Sequence, residues 1–539
     1  MAVAVRPAAP VAVAVAPAAR AGTAGRPWRF GVLIAGCVAL TVALRLPFLH
    51  VPLGIDEGGG AYIARQWSSG HGNLYGSFWF DRPPGLLLLL RAALVDGTVG
   101  VRLLGALAAV AIVLAVAATA RLVAGDRAGV LGALFAAVLT GSFALAGVFT
   151  TGELLAAAPS ALSVAALVLA HRRRSARWLF AAGALALCAL LVKQSFADAI
   201  GAGAVFLAAS AIAERRWPWR ELLAYCAGAL LPLCAVGAWL ALTGTAPGRL
   251  VYAVFGFRVE ALRTLAASNV PLQDRVRGLL HPAVRSGLVI AMPVALAGLL
   301  RLGRDRVLAV TFAAWLGAGL VGVLGGGSYW AHYLLQLVPA VSVLAAVALA
   351  RAHVGLRVVV ATAIAVVAVA GSASGGAAAI RHPHYARELA VARYVRRHAR
   401  PGDTFYVMYA RANVLYYAGL PDPYPYSWSL MVRTLPDAAP RLRRLLASPQ
   451  RPTWIVRWQR PDSWGLDPHG TTRRLLAAEY LPVARVSGHV ILHVRSTAAP
   501  PRTRSPSALA DGTRRTRGGR RGRRQRAAAT SGAPRGRPA

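Results

Sequence analysis

Residues 30–67 read FGVLIAGCVALTVALRLPFLHVPLGIDEGGGAYIARQW, and two features of that stretch set the reading of the whole chain. The first twenty residues are almost wholly apolar, enough for a helix to cross a hydrocarbon core of roughly 30 Å. Two adjacent carboxylates, Asp56 and Glu57, follow at the edge of that run. Similar runs recur along the 539 residues, of which 56% are hydrophobic, and the mean hydropathy is +0.51. A soluble domain does not need that much apolar surface. In lipid every backbone N–H and C=O must be satisfied within its own segment, which selects helices. The expectation is an all-α polytopic membrane protein.

Eleven spans are expected, near 30–49, 99–122, 128–149, 153–170, 178–193, 196–213, 221–242, 286–302, 307–325, 333–350 and 357–373. Residues 83–95 are apolar but too short to span and are read as a half-inserted or interfacial helix. With the N-terminus in the cytoplasm, the inner turns are GDR (125–127), HRRRSAR (171–177), ERRWPWR (214–220), RLGRDR (301–306) and RAHVGLR (351–357). Each carries arginine, whereas the outer turns at 149–153 and 325–333 carry none. This is the positive-inside pattern of a multi-pass protein of the cell membrane. It places outside the loop 50–83, a segment near 243–283, and everything after 374.

The chain then divides into a leader (1–29), a transmembrane module (30–374), a small extracytoplasmic α/β domain (375–498) and an arginine-rich tail (499–539). In the α/β domain, HYARELAVARYVRRHA reads as a helix, and TFYVMY, TWIVRW and HVILHV as strands. The prolines of the leader break any helix, and the tail has a disorder-prone composition. The formal charge of +40 is an envelope property rather than a sign of nucleic-acid binding: from Pro501 onward alone there are twelve arginines and one aspartate, and the rest is spread over loops. Four cysteines, at 37, 188, 226 and 234, all lie in apolar runs and form no metal spacing.

Polar residues gather near the outer ends of the expected spans. They are Asp56 and Glu57, Asp81 and Arg82 in FWFDRPPG, Glu153 in TTGELLAAAPS, Lys193 and Gln194 in LVKQS, and His332 and Tyr333 in YWAHYLLQLVP. Ionisable groups at membrane depth are functional by default. A carboxylate there can take a proton from an acceptor, and nearby cations can meet the charge of an anionic leaving group. A leaving group anchored in lipid points to a polyprenyl phosphate held by Arg82, Lys193 and His332. Lys193 is the only lysine among 60 basic residues, and an ammonium suits phosphate.

In order and spacing, GIDEGGGAYIARQW, GSFWFDRPPGLLLLL, TTGELLAAAPS, LVKQS and YWAHYLLQLVPAVSVLAA resemble the GT-C glycosyltransferases, in particular the family-39-like group of protein mannosyltransferases and lipid A aminoarabinose transferases. The resemblance covers roughly 30–350. It implies a GT-C fold, a polyprenyl-phosphate sugar as donor, and transfer to an extracytoplasmic hydroxyl or amine by one inverting displacement. Asp56 would be the general base, with Glu57 and Asp81 as further catalytic carboxylates. Arg82, Lys193, His332 and Tyr333 would hold the donor phosphate, and Glu153 and Gln194 would complete the site. Arg82 stands where the family commonly has lysine, and Glu153 where it often has aspartate. No cofactor is implied, and a divalent cation is left open. The acceptor (protein, lipid or polysaccharide) is not indicated. The competing reading is a transporter or lipid flippase, which predicts paired repeats that the sequence lacks.

Overall fold

In a computed structural model, residues 27–68, 73–268, 270–303, 305–381 and 385–495 are described. The expected leader up to residue 26 and the arginine-rich tail lie outside them. Every one of the eleven apolar runs carries a helix. Six of the helical stretches are long and apolar enough to cross a membrane: Trp28–Phe48, Pro84–Ala124, Gly152–Arg173, Trp219–Thr243, Arg306–Leu324 and Val354–Ala377. The pair Leu272–Arg285 and Leu288–Arg301, bent by 81°, makes a seventh if it is one span. Asp126–Thr140, Ala176–Val192, Asp198–Glu214 and Val338–Ala350 are shorter apolar helices of the same bundle.

Two boundaries differ from the sequence reading. The run 128–149 is helical only to Thr140. The buried Arg45 donates to the carbonyls of Thr140 (3.0 Å) and Gly147, so a side chain closes the helix end, and beyond Gly141 the chain turns back through separate tight turns. The last span continues to Arg381, past the expected boundary at 374. The apolar stretch after Pro83 is also more than a half-inserted piece. Pro84–Ala93 leads through a 3-10 turn into Gly97–Ala124.

The loop 50–83 is partly helical. Ile55–Ser68 forms a helix with Asp56 and Glu57 in its first turn, where the helix dipole favours negative charge. The triple glycine that follows allows a close approach. A Cβ on Gly58 would lie 2.6 Å from the Asn413 side chain, and one on Gly59 would lie 2.4 Å from the Trp428 ring. The helix can therefore bring its backbone against the C-terminal α/β part.

That part begins with helix Ala386–His398 and holds a four-stranded sheet in the order β1-β2-β4-β3. Strands β1 (Phe405–Val407) and β2 (Trp454–Arg457) are parallel. Strands β3 (Tyr480–Val486) and β4 (His489–Val494) form an antiparallel hairpin, with β4 beside β2. Three of these strands are the runs expected from sequence. β3 is not legible as a strand in the sequence because Pro482 and Arg485 interrupt its apolar pattern, which a strand at the sheet edge tolerates. Tyr62 of helix Ile55–Ser68 accepts a bond from the Asp422 backbone N–H (2.6 Å), and Tyr417 accepts one from the Leu53 N–H (2.6 Å).

Candidate functional site

The nine singled-out residues sit on five separate parts of the chain, and the fold brings them to one end of the bundle. The approach of two segments is enforced by Gly85, where a Cβ would lie 2.5 Å from the Leu191 carbonyl oxygen. That contact sets the Asp81–Arg82 turn beside the Lys193–Gln194 turn. The Gln194 amide then donates to the Asp81 carbonyl (2.8 Å) and to that of Val254 (3.3 Å).

Asp56 and Glu57 are neighbours in sequence and opposites in surroundings, because successive helical residues point about 100° apart. Glu57 is buried. It pairs with Arg102 and accepts the backbone N–H groups of Gly54 (2.8 Å) and Thr150 (2.5 Å). Arg102 also donates to the Val51 and Pro52 carbonyls, at 3.2 and 3.1 Å. All of this ties the start of helix Ile55–Ser68 to two membrane helices and leaves Glu57 no open oxygen for a substrate. Asp56 is exposed. One oxygen accepts the Trp428 indole N–H at 3.0 Å, which fixes the carboxylate while its other oxygen remains accessible.

Asp81 is buried between two guanidinium groups, those of Arg82 and Arg258, each 2.5 Å from Oδ2. Burial works against the Arg82 charge, but Asp81 and Asp56 outweigh it and raise its pKa. The carboxylate of Glu153, in the first turn of Gly152–Arg173, pairs with the Lys193 ammonium and lies 3.6 Å from His332 Nε2. The Lys193 ammonium is also 5.1 Å from the centre of the Tyr333 ring, a cation–π contact. His332 lies in a short 3-10 turn between helices. Its pKa is held below the usual 6.5, by burial first and then by the Lys193 and Arg82 charges against the pull of Glu153. Burial therefore works against the charge that Glu153 beside it favours.

The Asp56 charge acts on Arg82, Lys193, His332 and Tyr333, so the two ion-pair groups and the exposed carboxylate form one electrostatic unit. Each cation is already opposed by a carboxylate, which lets charged groups persist in a partly dehydrated setting. Sequence reasoning missed Arg258, Arg102 and Trp428. Arg258 lies in FRVEALRT within a segment read only as amphipathic, and no spacing links Trp428 to Asp56 across 372 positions. Among the described residues no group of three or more His, Cys, Asp or Glu is arranged to hold a metal ion. Asp81 and Glu153 are committed to cations, so the residues present do not fit a divalent cation.

Residues 81–241 match the family described as dolichyl-phosphate-mannose-protein mannosyltransferase. No curated protein matches the chain. Among solved structures, ArnT from Cupriavidus metallidurans bound to undecaprenyl phosphate aligns with a TM-score of 0.61 at 18% identity, covering 89% of this chain and 100% of that one. The Archaeoglobus fulgidus oligosaccharyltransferase tethered to an acceptor peptide aligns with a TM-score of 0.53 at 13% identity, covering 85% of this chain and 72% of the other. The chain thus has the polytopic GT-C glycosyltransferase fold, and its family sequence match begins at the Asp81–Arg82 turn and runs through Lys193.

Proposed function

We propose that the protein is a membrane glycosyltransferase that moves a sugar from a polyprenyl-phosphate donor to a hydroxyl or amine outside the cytoplasm. The observation that carries this reading is the exposed Asp56 carboxylate, anchored by Trp428 and set beside the Arg82 and Lys193 charges. The family match and the fold shared with an undecaprenyl-phosphate-bound transferase support the donor class. The arginine-bearing turns lie at the ends of the bundle helices remote from the site, which supports an outward-facing site.

In this mechanism the acceptor binds with its nucleophilic O–H or N–H toward the open oxygen of Asp56. Asp56 takes the proton as the acceptor atom attacks the anomeric carbon from the face opposite the phosphate. The new bond forms as the anomeric C–O bond breaks, and the electron pair leaves with the phosphate oxygen, inverting the centre. The leaving phosphate gains one negative charge. Arg82 offers a planar fork to it and Lys193 a point charge. The His332 imidazole and the Tyr333 hydroxyl add further hydrogen bonds. Asp81, Arg258 and Glu153 hold the two cations in place, so little reorganisation is needed when the charge develops. Glu57 acts as the anchor of the helix that carries Asp56.

The test is transfer or hydrolysis of labelled polyprenyl-phosphate hexoses by the purified protein in detergent. Asp56→Asn keeps the shape and the Trp428 bond and removes the base. Its turnover is expected to fall by about 10²–10⁴-fold, the usual worth of a positioned general base, at an unchanged Tm. Full turnover in Asp56→Asn would overturn the assignment.

A further inference from the structure

Inside the apolar bundle, beside the Lys193–Glu153 pair, lies a polar network that the transfer chemistry does not use. At its centre is Asp198, a carboxyl in the first turn of helix Asp198–Glu214. The Ser160 hydroxyl donates to its Oδ2 at 3.3 Å, and the Ala199 backbone N–H donates to its Oδ1 at 2.9 Å. The Ser160 oxygen in turn accepts the Trp315 indole N–H at 3.2 Å. The side chain of Gln336 hydrogen-bonds the same carboxyl, and its amide Nε2 donates to the Ser195 carbonyl at 2.9 Å. Asp198, Ser160, Trp315 and Gln336 are each 3% exposed or less.

The network joins the two turns assigned to the donor phosphate. Gln336 ends the 3-10 turn Ala331–Gln336, which carries His332 and Tyr333. Ser195 belongs to the tight turn that starts at Lys193, closed by the Phe196 N–H on the Lys193 carbonyl at 3.0 Å. Ser160 is on the helix that carries Glu153, about two turns further along and so on the same face. One amide thus ties the His332–Tyr333 turn to the Lys193 turn, and Asp198 and Ser160 tie that amide to the helix of Glu153. Gly322 makes the approach possible. A Cβ there would lie 2.6 Å from Gln336 Nε2 and 2.8 Å from the Ser195 carbonyl oxygen, so a larger residue would displace the amide.

Apolar side chains would fill this space without the cost of dehydrating a carboxyl and an amide. What a bonded polar network adds is a single geometry, because its donors and acceptors match in only one arrangement. We infer that Gln336 is a positioning residue for the donor phosphate, holding Lys193 and the His332–Tyr333 turn at a fixed spacing, and that Asp198 orients its amide. The inference rests on the glycosyltransferase reading. Both residues act through Lys193, His332 and Tyr333 rather than on the donor itself. Asp198 offers an acceptor oxygen on each side, whereas asparagine would turn an NH₂ group toward one of the donors.

The test is equilibrium binding of undecaprenyl phosphate and of undecaprenol to the full-length protein in detergent. The two probes share a tail, so the ratio of their dissociation constants isolates the phosphate. Gln336→Met keeps the length of the side chain and removes its hydrogen bonds, and Asp198→Asn keeps the shape and removes an acceptor. Each is expected to lower the phosphate preference by about tenfold, the worth of one buried hydrogen bond, with undecaprenol binding unchanged. Ser160→Ala, one step further from Gln336, is expected to lower it by about two- to threefold. A purely structural role would weaken both probes together or lower Tm alone, and either result overturns the inference. So does an unchanged preference in Asp198→Asn or Gln336→Met. If Gln336→Met does not fold, Asp198→Asn and Ser160→Ala carry the same comparison. The preference of the unaltered protein for the phosphate tests the donor reading, so its failure is told apart from a failure in the variants.

Discussion

The two ends of the helix bundle use the same ion-pair chemistry at different depths. At the site end the Arg102–Glu57 and Lys193–Glu153 side chains are 3–8% exposed. At the other end Arg121–Asp126 is 47% exposed on both sides, and in Arg174–Glu214 the arginine is 70% exposed. Water screens the second set, so those pairs add little stability, and their arginines serve orientation in the membrane. The first set has given up its hydration. Such a pair is weak evidence for stability, but removing one partner strands a charge. Charge is therefore cheap to vary at one end and tightly specified at the other, as a site that handles an anionic leaving group requires.

The sharpest way to break that contrast is Arg102→Met. It leaves Glu57 buried with only backbone donors, and the expected loss is about 3–5 kcal/mol. A double variant with Glu57→Gln should recover most of it. Thermal unfolding in detergent reads both, and equal loss in the single and double variants would mean that the pair is not a unit. A smaller effect is expected from Gly59→Ala, whose Cβ meets the Trp428 ring. Overpacking of this kind costs about 1–3 kcal/mol. It should also lower turnover, because Trp428 loses its hold on Asp56.

A third test concerns Asp422, a buried carboxyl that, among the described residues, has no ion pair to match those of Asp81 and Glu153. Its Oδ1 accepts the Tyr424 N–H at 2.9 Å, and its Oδ2 has no hydrogen-bond partner among the described residues. Burial raises its pKa well above the usual 3.8, and the Tyr424 N–H offsets only part of this. The folded state therefore favours the protonated form. That contribution is complete below the unfolded pKa near 3.8 and is lost as pH rises through the raised folded value. Asp422→Asn should flatten this part of the pH–stability curve, and an unchanged curve would refute the assignment. The smallest effect is expected at the other end of the bundle. Arg174→Ala should change stability by less than about 1 kcal/mol, with that difference shrinking in high salt.

The helices were legible because lipid permits few alternatives. An apolar run of sufficient length must be helical, and arginines between runs report its direction. Even so, the run 128–149 ended early, because its terminator, Arg45, lies in a different segment of the chain. Three of the four strands were visible as β-rich runs. The fourth needed its neighbour β4 to define it.

Of the site, the sequence by itself determined the inventory: carboxylates and cations at one set of helix ends, in an order that resembles a transferase family. Only the tertiary structure decided their parts. Asp56 and Glu57 look equivalent on paper, yet one is exposed beside Trp428 and the other is locked to Arg102. Asp81 acquired a second cation, Arg258, from a segment 177 positions away, and burial works against a charge on His332. The physical reason is that a residue type sets which proton or charge a side chain can carry. Whether it carries one depends on the water removed and the counter-charges brought near, and these come from distant parts of the chain.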